Sequence, residues 1–124
     1  RARVSDCPRL GEGLFLTSEV ACFAEAGRHE AYERLHAAAR LTRTWGDCYG
    51  FLLVATGRAE VMIDASMSLW DAAALQPIIE GAGGSFTDWQ GKPTIQSGEA
   101  VATNGRIRDE VLAITRAYPK KGQS

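Results

Sequence analysis

A helix-like segment that ends in two glycines and leads directly into a strand-like segment constrains this chain more than any other feature. Apolar side chains recur at helical spacing through residues 72–82. These positions are Ala72, Leu75, Ile79 and Ala82. Gly83 and Gly84 supply the backbone freedom that ends a helix, and residues 85–87 favour a strand. The pattern predicts a helix packed on a sheet, with Asp71 at or beside the helix N-terminus.

The rest of the chain alternates in the same way between strand-like and helix-like segments. We expect strands at residues 14–17, 41–43, 59–63, 85–87 and 100–102, and helices at residues 28–40, 47–56, 72–82 and 107–117. Alternation of this kind predicts an α/β fold. Pro77 lies inside one predicted helix and should cost a backbone hydrogen bond and a kink, but the strong periodicity favours keeping the helix.

Composition narrows the classes of protein that this chain can belong to. It has 124 residues, 45% hydrophobic and 23% charged, which suits one globular domain. Its 14 basic and 15 acidic residues leave a net charge of −1, so we expect neither nucleic acid nor a membrane as partner. No apolar run approaches the roughly 18 residues of a membrane span, and no signal-like segment is present. We therefore expect a cytoplasmic protein.

Asp71 has two interpretations when only the residues are considered. A carboxylate at a helix N-terminus is held near unpaired N–H groups, so Asp71 suits the role of an N-cap. A fixed carboxylate equally suits Mg²⁺ or a similar cation that prefers oxygen ligands. Residue type and position leave both open.

The segment around Asp71, residues 69–84, resembles the C-terminal signature of the inositol monophosphatase superfamily. Members of that superfamily are Mg²⁺-dependent phosphomonoesterases, and the aspartate of the signature is one of their metal ligands. The preceding segment, residues 43–60, resembles the Arg-x-x-Gly segment, helix and Gly-rich turn that come before the signature in the family. The resemblance thus implies Mg²⁺ as cofactor, with Asp71 as a ligand.

The resemblance also implies substrate-binding roles for four residues. Arg43 would be a planar donor for a substrate oxygen or for a loop of the partner subunit, with a surface ion pair as the alternative. Gly46 would let the backbone approach the ligand closely. Asp47 and Asp64 would bind an ammonium or imidazole group of the substrate; for Asp47 the alternative is a helix N-cap. No catalytic residue is assigned within these 124 residues.

Two short segments place the resemblance nearest to the histidinol-phosphatase branch. These are the Gly46-Asp47 pair and residues 100–105. We therefore expect a Mg²⁺-dependent phosphatase of histidine biosynthesis that acts, as a homodimer, on a small phosphorylated substrate, with histidinol phosphate preferred. Inositol monophosphate, or another small sugar or alcohol phosphate, is the alternative within the family. A non-catalytic ligand-binding or oligomerisation module is the alternative of another class.

The first residues of the chain add an expectation about domain organisation. Residues 1–5 include no initiator methionine and suggest the middle of a strand. The resembling enzymes carry an N-terminal half with an acidic helix and an Asp-Pro-x-Asp-Gly-Thr loop, and neither occurs here. We expect residues 1–124 to be the C-terminal α/β portion of a phosphatase, the C-terminal layer of the αβαβα sugar-phosphatase fold, inactive on its own.

Overall fold

The computed structural model describes residues 3–17, 23, 27–44, 49–65 and 67–119. The strands in these ranges are β1 (Leu14–Thr17), β2 (Leu41–Thr44), β3 (Val61–Asp64), β4 (Ser85–Thr87) and β5 (Ala100–Thr103). The helices are α1 (His29–Ala38), α2 (Tyr49–Ala55), α3 (Leu69–Gly81) and α4 (Arg108–Thr115), and a short 3₁₀ turn at Leu10–Glu12 precedes β1.

The strands form one mixed sheet, in the order β2-β1-β3-β5-β4 within the described ranges. β1 is parallel to both β2 and β3, whereas β5 is antiparallel to β3 and β4. The carboxyl ends of β1, β2 and β3 therefore meet at one edge of the sheet, where the strands end at Thr17, Thr44 and Asp64. β5 begins at the same edge, because Asp64 pairs with Ala100.

Successive side chains of each strand point to opposite faces of the sheet, and both faces are covered by helices. One face packs against α2 and α3 in a cluster that includes Leu16, Phe51, Met62, Leu75, Phe86 and Ala102. The other face packs with residues of α1 and α4 in a cluster that includes Phe15, Leu35, Ile63, Trp89, Val101 and Val111. The predicted α/β fold is confirmed as a sheet between two helical layers. Of the helices that the structure describes, none has the length and apolar character needed to cross a membrane.

The helix of the opening motif, α3, begins three residues earlier than its periodicity predicts. Its N-cap is Ser68, whose hydroxyl accepts a hydrogen bond from the Asp71 backbone N–H at 3.2 Å. The interpretation of Asp71 as the N-cap is therefore wrong. The cap position is taken by Ser68, three residues upstream, so the helix begins at Leu69 and Asp71 lies inside its first turn. The helix continues through Pro77 as predicted.

The C-terminus of α3 forms a two-bond glycine cap. Gly83 has a φ of 93°, in the left-handed region, and its N–H donates to Glu80 O at 3.0 Å. The N–H of Gly84 donates to Ile79 O at 2.9 Å. This pair of bonds is the Schellman arrangement, and it confirms that the glycine pair ends the helix and turns the chain into β4.

Strand β3 begins two residues later than predicted, at Val61. The N–H of Ala59 donates to Leu53 O at 3.2 Å, so this residue completes the C-terminal turn of α2 instead of joining the sheet. The alternation of apolar residues did not reveal the later start of β3. Ala59 is apolar and fully buried, so it fits the pattern of a strand although it lies outside the sheet.

Candidate active site

The candidate site lies at the carboxyl edge of the parallel strands. Asp64 is the last residue of β3 and is only 8% exposed. Asp71 lies seven residues later, in the first turn of α3, and is exposed. The connection between them is tied to the sheet edge, because Met67 N–H donates to Gly98 O at 2.8 Å. One short connection thus positions both predicted aspartates.

Asp71 lies in the first turn of α3, near the positive end of the helix dipole, and its side chain is exposed to solvent. Within the described ranges, no hydrogen bond or ion pair engages this carboxylate. Its oxygen atoms suit a hard divalent cation. Also within those ranges, no three His, Cys, Asp or Glu side chains lie together closely enough to hold a metal ion. The residues present therefore fit Mg²⁺ to the extent of one ligand, Asp71.

Asp64 is anchored through its backbone by a buried tryptophan. Its carbonyl oxygen accepts a hydrogen bond from Trp89 Nε1 at 3.3 Å. Trp89 is fully buried in the loop between β4 and β5. The position of Asp64 therefore depends on a loop that is distant in sequence as well as on its own strand.

A buried ion pair lies against this tryptophan. Arg28, which precedes α1, pairs with Glu99, which precedes β5, and their side chains are each 1% exposed. The Arg28 guanidinium carbon lies 4.0 Å from the centre of the Trp89 ring, in a cation–π contact. Glu99 Oε2 also accepts the backbone N–H of Trp89 at 2.9 Å. Sequence reasoning did not identify these three residues.

The loop that carries Trp89 is organised by Asp88. One oxygen of its carboxylate accepts the backbone N–H groups of Gln90 and Lys92, each at 2.9 Å, and the other accepts Ser97 Oγ at 3.1 Å. Residues 88–91 form a turn, in which Gly91 N–H donates to Asp88 O at 3.2 Å. An aspartate in a turn was the available signal, but it does not reveal which distant side chains the loop will contact.

Of the other predicted substrate-binding residues, the structure describes Arg43 but not Gly46 or Asp47. Arg43 lies on β2 at the edge of the sheet, is exposed, and donates from Nη1 to its neighbour's carbonyl, Thr42 O, at 2.8 Å. The alternative of a surface ion pair finds no support in the part of the chain that the structure covers. Gly46 and Asp47 lie outside the described residues.

Open α/β sheets commonly bind ligands beyond the carboxyl ends of their strands, so the fold defines an α/β protein whose acidic strand edge is a candidate ligand site. Residues 1–120 match the inositol monophosphatase family, and the chain belongs to that family. Its members are metal-dependent phosphoric monoester hydrolases.

Relatives and solved structures agree with this assignment. The chain is 49% identical over 84 residues to a histidinol-phosphatase of Chlorobaculum parvum, covering 66% of this chain and 32% of that protein. It is 37% identical over 112 residues to a histidinol-phosphatase of Streptomyces coelicolor, covering 90% and 42%. An inositol monophosphatase structure from Zymomonas mobilis superposes with a TM-score of 0.85 at 30% identity, covering 92% of this chain and 46% of that one. The chain thus spans less than half the length of each of these proteins.

Proposed function

We propose that this chain is part of a Mg²⁺-dependent phosphomonoesterase that hydrolyses histidinol phosphate. The observation that carries the choice of substrate is the likeness to the histidinol-phosphatases of Chlorobaculum parvum and Streptomyces coelicolor. The acidic strand edge supports it, because a carboxylate is a suitable partner for the ammonium group of such a substrate.

In this proposal the two described aspartates have different tasks. Asp64 accepts hydrogen bonds from the substrate's ammonium or imidazole group, and its partial burial strengthens them because competing water is limited. Asp47, which precedes α2 in the sequence, has the same proposed task. Gly46 allows close backbone approach, and Arg43 donates to a substrate oxygen or to the partner subunit of a homodimer.

Asp71 is proposed as one ligand of Mg²⁺. A bound Mg²⁺ would neutralise the phosphate and lower the pKa of the attacking water. The Ser68 cap fixes the first turn of α3 that carries the Asp71 carboxylate. The remaining metal ligands and the group that activates the water would come from outside these 124 residues, in an N-terminal half of the enzyme.

A phosphate-release assay tests the proposal. The intact protein that carries this chain is incubated with histidinol phosphate, inositol monophosphate and 4-nitrophenyl phosphate, with Mg²⁺ and with EDTA. We expect Mg²⁺-dependent release and a kcat/KM for histidinol phosphate at least tenfold above that for inositol monophosphate. Release from no substrate would favour a non-catalytic binding module.

A second candidate is inositol monophosphate hydrolysis, and the specific observation in its favour is the close superposition on the Zymomonas mobilis enzyme. The same assay separates the two, because a preference for inositol monophosphate would reverse the expected ratio. In that case Asp64 would accept hydrogen bonds from sugar hydroxyl groups.

A further inference from the structure

We propose that Trp89, held in place by the buried Arg28–Glu99 pair, is a positioning residue for Asp64 and thereby for substrate selection. The inference rests on the proposed function, in which Asp64 is the group that recognises the substrate. Trp89 itself is fully buried and acts through the backbone of Asp64, to which its indole N–H donates.

Asp64 occupies the point where β3 leaves the sheet. On one side it is held by the register with β5, where it pairs with Ala100. On the other side its carbonyl receives the Trp89 Nε1–H at 3.3 Å. The chain departs from the sheet immediately afterwards, so this indole contact fixes the backbone at the position from which the Asp64 side chain projects.

Trp89 is rigid enough for such a role, because its neighbours restrain both its backbone and its ring. Its N–H donates to Glu99 Oε2 at 2.9 Å, and its carbonyl accepts Thr115 Oγ1 from α4 at 2.8 Å. One contact of the ring is the Arg28 guanidinium, and another is the ring of Phe23 with 5.6 Å between centroids. The indole therefore has little freedom to follow a displaced strand end.

The energetics of the ion pair favour positioning over stabilisation as its role. Both partners are removed from water, and the Nε and Nη2 atoms of Arg28 find no hydrogen-bond partner among the described residues. Unpartnered buried donors are costly, and a buried ion pair of this kind often contributes less stability than apolar side chains of similar volume. The ion pair instead restrains Trp89. Glu99 binds both the Arg28 guanidinium and the Trp89 backbone N–H, and Arg28 packs over the indole ring.

The test is Trp89→Phe in the intact protein, a change that keeps an aromatic ring for Arg28 and removes the indole donor together with part of the buried ring volume. We expect KM for histidinol phosphate to rise by roughly tenfold, the effect of losing one well-placed hydrogen bond at the recognition group. We expect kcat to change less than about twofold, because the groups around the phosphate are untouched. KM for 4-nitrophenyl phosphate, which has no ammonium or hydroxyl group for Asp64, should stay the same.

A double-mutant cycle shows whether Trp89 acts through Asp64. In an Asp64→Asn background, Trp89→Phe should produce no further rise in KM, since the recognition group has already been lost. The matched control is Thr103→Val at the opposite end of β5, which removes a partly buried hydrogen bond from Gly105 N–H to Thr103 Oγ1. This control should lower the melting temperature and leave KM for both substrates unchanged.

A second variant and a second readout keep the inference falsifiable if Trp89→Phe folds poorly or the substrate is wrong. Arg28→Met/Glu99→Gln removes both buried charges and keeps an oxygen acceptor for the Trp89 N–H, and we expect the same selective rise in KM. Hydrogen exchange at residues 64 and 65, the end of β3 that Trp89 contacts, should accelerate in both variants by more than their loss of global stability predicts. Thr103→Val, at the other end of the β3–β5 pairing, should accelerate exchange there only as far as its lower stability predicts. Equal KM changes for the two substrates, or unaltered exchange at the end of β3, would overturn the inference. An unmodified protein that leaves histidinol phosphate intact would instead overturn the proposed function, while exchange still decides whether Trp89 positions Asp64.

Discussion

Two aspartates seven residues apart show how differently one residue type is used at this edge of the sheet. Asp64 is 8% exposed and belongs to a strand, whereas Asp71 is exposed in the first turn of a helix. Burial strengthens directional hydrogen bonds to a ligand, and exposure leaves a carboxylate accessible to a divalent cation. The different environments support a division between substrate recognition and metal binding.

Replacing Asp71 by Asn tests its proposed metal role. We expect kcat/KM of the intact protein to fall by a factor of about 100 or more, because a neutral amide oxygen is a much weaker Mg²⁺ ligand and stabilises less transition-state charge. The melting temperature should hardly change, since the cap of α3 is Ser68. Phosphate release and thermal unfolding measure the two effects.

Ser68→Ala is the matched control for that experiment. It removes the cap hydroxyl that accepts the Asp71 N–H and should destabilise the protein by about 1 kcal/mol, while the carboxylate remains. Activity should therefore be largely retained. Near-normal turnover in Asp71→Asn, or an equal loss in Ser68→Ala, would contradict the metal role.

Substitution of the proposed recognition carboxylates should change substrate preference. Asp64→Asn and Asp47→Thr each remove a charge-assisted hydrogen bond to a cationic substrate, worth about 1.5–3 kcal/mol. We expect kcat/KM for histidinol phosphate to fall about tenfold or more, with a much smaller change for inositol monophosphate. Steady-state kinetics with both substrates measure the ratio, and equal losses would indicate that these residues serve only the scaffold.

Sequence patterns predicted the residues that carry local signals and missed those that do not. Asp64 and Asp71 were assigned their expected roles through the resemblance of the surrounding segment to a family signature. Ser68 was not predicted to be the N-cap of α3. Serine and aspartate are both common N-cap residues, and Asp71 directly precedes the first apolar position of the helical pattern. Arg28 and Glu99 are 71 residues apart, and their pairing follows from the path of the chain across the sheet, which no local pattern encodes.

Secondary-structure elements were predicted well in kind and less well at their ends. Periodicity depends on which face is buried, so it located α1, α3 and β4 reliably. Boundaries depend on individual hydrogen bonds, such as the one that binds Ala59 to the end of α2. The glycine pair after α3 was the exception, because glycine in the left-handed region is a strong local signal.

The end of α3 offers a paired test of this element. A Cβ added at Gly84 would lie 2.5 Å from the Thr103 backbone oxygen, whereas one added at Gly81 would meet nothing within 4 Å. Gly84→Ala should therefore destabilise the protein by about 1–3 kcal/mol through overpacking against β5. Gly81→Ala should stabilise it by up to about 1 kcal/mol, because alanine loses less backbone entropy in a helix. Urea unfolding of both variants measures the change in the free energy of unfolding, which should have opposite signs. Changes of the same sign and size would contradict the close approach of Gly84 to β5.

The described residues form a folded layer with one proposed recognition group and one candidate metal ligand. Similarity to the Streptomyces coelicolor relative extends through 90% of the chain and covers 42% of that protein. Among the described side chains of α2 and α3, four large apolar ones are exposed: Leu52, Leu69, Trp70 and Ile78. Trp70 is 82% exposed directly beside Asp71. An apolar surface next to a candidate metal ligand is suited to contact with further protein.

The 124 residues on their own should therefore bind Mg²⁺ weakly, hydrolyse none of the tested phosphomonoesters and self-associate. Mg²⁺ requires near-octahedral oxygen coordination, usually from one or two carboxylates together with substrate phosphate oxygens, and Asp71 alone is a poor site. Calorimetric titration with Mg²⁺ should give no saturable heat beyond that of Asp71→Asn in the same chain. A phosphate-release assay on histidinol phosphate should match the buffer, and light scattering should report species larger than a monomer, because the exposed apolar side chains favour association. Tight Mg²⁺ binding or measurable turnover would mean that the metal ligands and catalytic groups are assigned to the wrong part of the protein.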